Sequence, residues 1–190
     1  KGSFENNSFG DSEKLNFFEY KAKGSLSYKI SGANSLTASV AYMQQAPSFQ
    51  SSFVSPRTRN SVTPNLTAEK VFSADLTYDL HVGGFKARVS GYYTTIEDRS
   101  KVISFYDDLQ ATFTNFAMSN IDSRYAGVEV GFSIPLFKFL NLNGAVSYGD
   151  YRYTSNPLIT QTADNSAEIV LSGEKVYWKG YHVESTPQTA

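Results

Sequence analysis

The chain has 190 residues, with Lys+Arg 17 against Asp+Glu 18 and a formal net charge of −1. That balance argues against a protein held on nucleic acid by phosphate contacts, which would carry a basic excess. Cysteine is absent and the only histidines are His81 and His182, so disulfide frameworks, thiolate metal sites, thiol nucleophiles and multi-histidine centres are excluded within this chain. Aromatic residues reach 15%, too many for a disordered chain. No apolar run approaches the roughly 18 residues of a transmembrane helix, which excludes helical membrane proteins only.

Lys1-Gly2-Ser3-Phe4 shows neither an initiator Met nor a charged-then-apolar leader. The last residues, Ser185 to Ala190, stop without a closing strand. The sequence is therefore expected to be a piece of a longer precursor, and missing targeting signals carry no weight.

Alternation of period two dominates, and the 3.6 period of amphipathic helices is hard to find. It predicts six long strands over 20–31, 35–45, 66–80, 85–97, 122–134 and 139–153. In the first, Tyr20, Ala22, Gly24, Leu26, Tyr28 and Ile30 share one face, and Lys21, Lys23, Ser25, Ser27 and Lys29 the other. The short turn Gly32-Ala33-Asn34 leads into Leu36, Ala38, Val40 and Tyr42. After a long connection near 46–65 come Phe72, Ala74, Leu76, Tyr78 and Leu80. The turn His81-Val82-Gly83-Gly84 precedes Phe85, Ala87, Val89, Gly91 and Tyr93. A second long connection, near 98–121, leads to Ala126, Val128, Val130, Phe132 and Ile134. The turn Pro135-Leu136-Phe137-Lys138 then gives Leu140, Leu142, Gly144, Val146 and Tyr148, and a third long connection occupies 154–184. Not one of these alternate positions is charged, in a chain that is 18% charged. The opposite face collects Asp75, Asp79, Lys86, Arg88 and Glu129 with many Ser, Thr and Asn.

One face thus meets something apolar and the other meets water. Three connections of about twenty residues or more are unusual in a compact soluble domain. Short turns at one end and long loops at the other fit a transmembrane β-barrel, with periplasmic turns and extracellular loops. Tyr28, Tyr78 and Phe132 fall near the lower edge of the apolar face, and Tyr42, Tyr93 and Tyr148 near the upper, as interfacial girdles do. From Tyr20 to Tyr28, at roughly 3.3 Å per residue and a tilt of roughly 45°, the vertical span is about 19 Å, compatible with an apolar band roughly 25 Å tall. The expected fold class is all-β, an antiparallel meander forming part of a transmembrane barrel. Six strands are too few to close alone, since such barrels start at about eight. A soluble extracellular β-sandwich that binds glycan, its uncharged face being simply its core, explains the alternation equally well. A passive porin or adhesin barrel is a third possibility.

Pro64-Asn65-Leu66-Thr67-Ala68-Glu69-Lys70, running into Ser73-Ala74-Asp75-Leu76-Thr77-Tyr78, resembles the late-barrel segment of TonB-dependent outer-membrane receptors. Gly91-Tyr92-Tyr93-Thr94-Thr95-Ile96-Glu97-Asp98 is similar to the return strand of that segment. Asn115-Phe116-Ala117 and Ala126-Gly127-Val128-Glu129-Val130 resemble the next strand entry. Ala46-Pro47-Ser48-Phe49, with Ser55-Pro56-Arg57-Thr58-Arg59-Asn60, resembles the preceding loop in receptors with an N-terminal carboxypeptidase-regulatory-like domain. The resemblance covers about 46–135. It implies a late part of the wall of a 22-stranded barrel in a Gram-negative outer membrane, with no cofactor. Implied partners are outer-membrane lipid, a plug domain of the same parent chain, the TonB energy-coupling complex and a surface lipoprotein. The plug, the TonB-contacting segment and a terminal aromatic residue are not found in this sequence. The implied function is uptake of a scarce ligand, such as a siderophore or a glycan.

Lys21, Lys23, Lys29, Asp75, Asp79, Lys86, Arg88 and Glu129 are expected to face the lumen, as a wet polar wall or as plug contacts. Asp75 and Asp79 are roughly 13 Å apart along one strand face, too far for a catalytic carboxylate pair. Arg57 and Arg59 with Phe49 and Phe53, then Tyr106, and finally Trp178 and Tyr181, are the candidate ligand-binding residues of the outer loops. A cation beside aromatic rings could hold an anionic chelate or stack on a sugar. Asp107, Asp108, Tyr177 and His182 lie near them. His81 and His182 are expected at opposite ends of the wall, unable to share a metal. No P-loop, GxGxxG, GxSxG or HExxH pattern occurs, and nothing in the sequence suggests an enzyme.

Overall fold

The computed structural model of the protein describes residues 5–6, 10–55, 60–164, 166 and 168–189. Strands β1 (Glu5–Asn6) and β2 (Gly10–Asp11) pair only with each other. The remainder is one antiparallel sheet. Its neighbours in order are β3 (Tyr20–Lys29), β4 (Asn34–Gln45), β5 (Glu69–Val82), β6 (Phe85–Asp107) and β7 (Thr112–Phe137). β7 then forks. Its lower half, Ser123 to Phe137, pairs with β8 (Leu140–Tyr153), and its upper half, Thr114 to Ser119, pairs with β9 (Leu158–Ala163). β10 (Ile169–Lys175) lies outside β9. A single helical turn, α1 (Phe49–Ser52), is capped by Ser48, whose hydroxyl accepts from the Ser51 N–H. The sheet does not close on itself.

All six expected strands are present, and the alternation places them because side chains of an extended chain project alternately to two sides. Gly83 and Gly84 form the two-residue connection from β5 to β6, with φ of 56° and 89°. Two consecutive left-handed residues are what a two-residue hairpin turn demands, and glycine adopts them without a Cβ clash. The expected turn at 135–138 is instead a continuation of strand to Phe137, leaving Lys138 and Phe139 as the link.

A larger correction concerns 98–121, expected as a long loop. It is mostly strand: β6 and β7 stay paired as far as Asp107 and Thr112, and only Asp108 to Ala111 turn. Two irregularities in register hid this, one between Ile96 and Arg99 and one between Arg99 and Lys101. Asp98 and Asn120, with φ of 60° and 58°, supply one extra residue to each strand. Residues 154–184 likewise hold β9 and β10.

Among the described residues, the buried side chains concentrate at this upper end. Phe53, Val54, Ala117, Met118, Ile121 and Ala163 are buried together with Thr63, Thr114 and Asn115. The α1 turn lies against β6. The upper end is therefore a packed cap, and the lower sheet is a single layer.

Candidate functional site

The two faces of the lower sheet differ in how they are finished. On the polar face, hydroxyls pair across neighbouring strands: Ser27 with Thr37 at 2.9 Å, Ser73 with Thr94 at 2.8 Å, and Thr77 with Ser90 at 2.8 Å. Arg88 Nε bonds Asp79 Oδ1 at 2.7 Å directly across the strands. Lys21, Lys23, Lys29, Asp75, Lys86 and Glu129 occupy positions of the same alternation. Gly127 and Gly149 sit opposite each other in register, and the Tyr92 and Tyr151 rings fold over them with their hydroxyls hydrogen-bonded. A ring laid over a glycine fills the space its missing side chain leaves in a sheet.

The other face is apolar and, among the described residues, uncovered. Tyr28, Leu36, Tyr78, Val89, Val130 and Val146 form one row across the strands. Leu26 is 77% exposed, Val146 62% and Val89 40%. A sandwich core would be buried beneath a second sheet; this face has none. Charge returns on the same face just above the upper aromatic residues, at Lys70, Glu97, Arg124, Asp150 and Arg152. Asp150 bridges both guanidiniums, at 2.9 Å from Arg124 Nη2 and 2.6 Å from Arg152 Nε. Lys70 Nζ pairs with Asp98 at 2.8 Å. The apolar band thus has a sharp upper limit.

The candidate loop residues separate. Phe53 is 2% exposed, so it packs the cap and offers no ring face to a ligand. Phe49, 5.2 Å from it between ring centroids, is exposed. Arg57 and Arg59 lie outside the described residues. Tyr106 stands near the hairpin tip, edge-on to Phe113. Asp107 holds the hairpin turn in shape, accepting from the Leu109 and Gln110 N–H groups and from Gln161, while Asp108 belongs to the turn itself. Trp178 packs on Tyr153 with centroids 4.8 Å apart, and Tyr177 and Tyr181 are exposed beside it. His182 lies against Arg152 and His81 near the Gly83 turn, at the two ends of the wall. Among the described residues no group of His, Asp and Glu could hold a metal ion.

The hairpin extension brings Arg99 and Lys101 to this region, where the sequence showed only a loop. Burial works against the Arg99 charge, but the Glu69 carboxylate at 2.7 Å more than offsets it, so its pKa stands above the ordinary arginine value. Lys101 Nζ reaches Glu184 at 3.5 Å. With Tyr125, Tyr153 and Trp178 they line a cavity of about 370 Å³.

Asp164 ties the cap together, accepting from the Ser55 hydroxyl at 2.5 Å and from Asn115 Nδ2 at 2.9 Å. Asn115 also accepts from Ser104. Asp164→Ala leaves buried Asn115 short of an acceptor, which costs about 1–3 kcal/mol. Limited proteolysis should then cut the 46–68 segment several-fold faster, with cutting at the lower turns unchanged.

No curated protein and no solved structure matches the chain. The family model described as TonB dependent receptor-like, beta-barrel, matches residues 2–188. Barrels of that family are outer-membrane receptors and transporters of Gram-negative bacteria. An open antiparallel meander with one wet face and one bare apolar face is what a stretch of such a wall looks like, and the chain belongs to the TonB-dependent receptor β-barrel family.

Proposed function

We propose that this chain forms part of the barrel wall of an outer-membrane receptor that imports a scarce ligand. The Gly83 turn lies in the periplasm, and the cap built on β6, β7, β9 and β10 faces the exterior. The observation that carries this reading is the uncovered apolar face, bounded above by aromatic residues and then by charge. Water would not tolerate so large an exposed patch on a monomeric soluble protein, whereas lipid would cover it. The polar face then borders the lumen, where Lys21, Lys23, Lys29, Asp75, Asp79, Lys86, Arg88 and Glu129 meet water and the plug of the parent chain. Energy for transport comes from the TonB complex through that plug. A surface lipoprotein over the cap is a compatible further partner.

Two epitope insertions in the full receptor test the placement, one between Gly83 and Gly84 and one at Leu109, which is 95% exposed at the hairpin tip. Antibody should label intact cells at Leu109 only, and Gly83 only after the outer membrane is opened. Labelling of both on intact cells would remove the membrane span.

A further inference from the structure

The cavity of about 370 Å³ at the top of the polar face is neither part of the lipid-facing wall nor of the polar lining below it. It lies at the low end of the range for ligand pockets, roughly 300–1,000 Å³. Its walls come from three separate stretches of chain: the β6 extension, β7 with the end of β8, and the segment after β10. We infer that this cavity is a subsite for a neutral sugar ring, seated on Trp178 and Tyr153 at the mouth of the barrel. The inference rests on the receptor reading above for its position facing the lumen.

Three features support that chemistry over an anionic ligand. The first is the aromatic platform. Tyr153 and Trp178 meet at 34° between ring planes, and Tyr125 completes the wall. An aromatic face is the negative end of the ring quadrupole, and the C–H groups on one side of a pyranose are weakly positive, so the two stack without any net charge.

The second is that the cations are already engaged. Arg99 is held by Glu69 and Lys101 by Glu184. A carboxylate or a ferric chelate would have to displace these acids, whereas a hydroxyl can bond to the edge of a paired group. Ser185 and Thr186 add hydroxyls to the lining, whereas the Ser123 hydroxyl is buried and donates to that of Tyr125.

The third is that the platform is fixed in place before any ligand arrives. The Val176 N–H donates to the Pro157 carbonyl at 2.9 Å, the Gly180 N–H to the Tyr153 carbonyl at 2.8 Å and the Tyr153 N–H to the Tyr181 carbonyl at 2.9 Å. Lys179 N–H bonds Asn156 Oδ1 at 3.0 Å. Trp178 is therefore clamped on both sides, to Pro157 before it and to Asn156 and Tyr153 after it, and little ordering is left for binding to accomplish.

The test titrates the full receptor in detergent with maltotriose, cellotriose and mannotriose, and separately with ferric citrate, by calorimetry. At least one neutral trisaccharide should saturate. Trp178→Ala should weaken it tenfold or more, while Trp178→Phe, which keeps a ring and guards against a misfolded variant, should stay within about threefold. Binding of ferric citrate in place of the sugars, weakened by Lys101→Gln, would overturn the inference. So would sugar binding indifferent to Trp178→Ala, or no sugar binding at about 10 mM. Each of these results leaves the membrane placement standing, because the epitope insertions judge that independently.

Discussion

Val89→Arg should abolish most assembly of the barrel, while Ser90→Arg, one residue along, should be tolerated. Val89 is the central position of the β6 apolar run from Phe85 to Tyr93, paired with Tyr78 and Val130, and on the proposed placement a cation near the bilayer midplane costs roughly 2–4 kcal/mol. Ser90 points to the wet side, between Thr77 and Glu129, and an Arg there gains a carboxylate neighbour. The readout is the fraction of receptor in outer-membrane preparations that keeps the fast, heat-modifiable mobility of a folded barrel in gels. Equal behaviour of the two variants would reverse or cancel the facing assigned to every strand.

Gly127→Ala should be nearly as damaging, and Gly131→Ala harmless. A Cβ at Gly127 would stand 2.5 Å from the Tyr92 hydroxyl and 2.6 Å from the Tyr148 carbonyl oxygen, whereas at Gly131 it meets nothing within 4 Å. The Tyr92 ring could swing aside, but the backbone carbonyl belongs to the β7–β8 ladder and cannot. The expected loss is at the upper end of the roughly 1–3 kcal/mol range for overpacking, read as a lower temperature of heat modification. If Gly127→Ala melts with the parent, the close approach of β7 and β8 at Tyr92 is not as described.

Strand identity and facing were legible in the sequence because the lower wall obeys a strict period of two from end to end, with Gly83-Gly84 marking a turn whose chemistry admits little else. The upper half was not. An extra residue at Asp98 inverts the alternation of β6, and Asn120 does the same in β7, so a period-two template stops at 97 and resumes at 122 although the strands run on. Arg99 and Lys101 were lost to the candidate site for that reason. Tyr125 and Tyr153 escaped notice differently: both sit at ordinary polar-face positions, Tyr125 against the Tyr151 ring, and only the return of the chain at Trp178 gives Tyr153 its ring partner. Phe53 illustrates the opposite error, an isolated ring in an aperiodic stretch that folds into the cap's interior. Trp178 and Tyr181 stood out, since aromatic residues crowding a polar segment are visible without any register.

The fork in β7 sets a seam between wall and cap. Around it, Asp122 accepts from the Asp98 N–H at 2.9 Å, and the Ser155 hydroxyl accepts from the Asp122 N–H at 2.8 Å and donates to the Asn120 carbonyl at 2.7 Å. On the proposed placement, the chain below this knot answers to the bilayer, while Asp98 to Asn120 and the chain from Ser155 onward answer to the exterior. On that placement the upper sequence can take insertions or substitutions without disturbing the register of the lower strands, because the two halves of β7 pair with different neighbours.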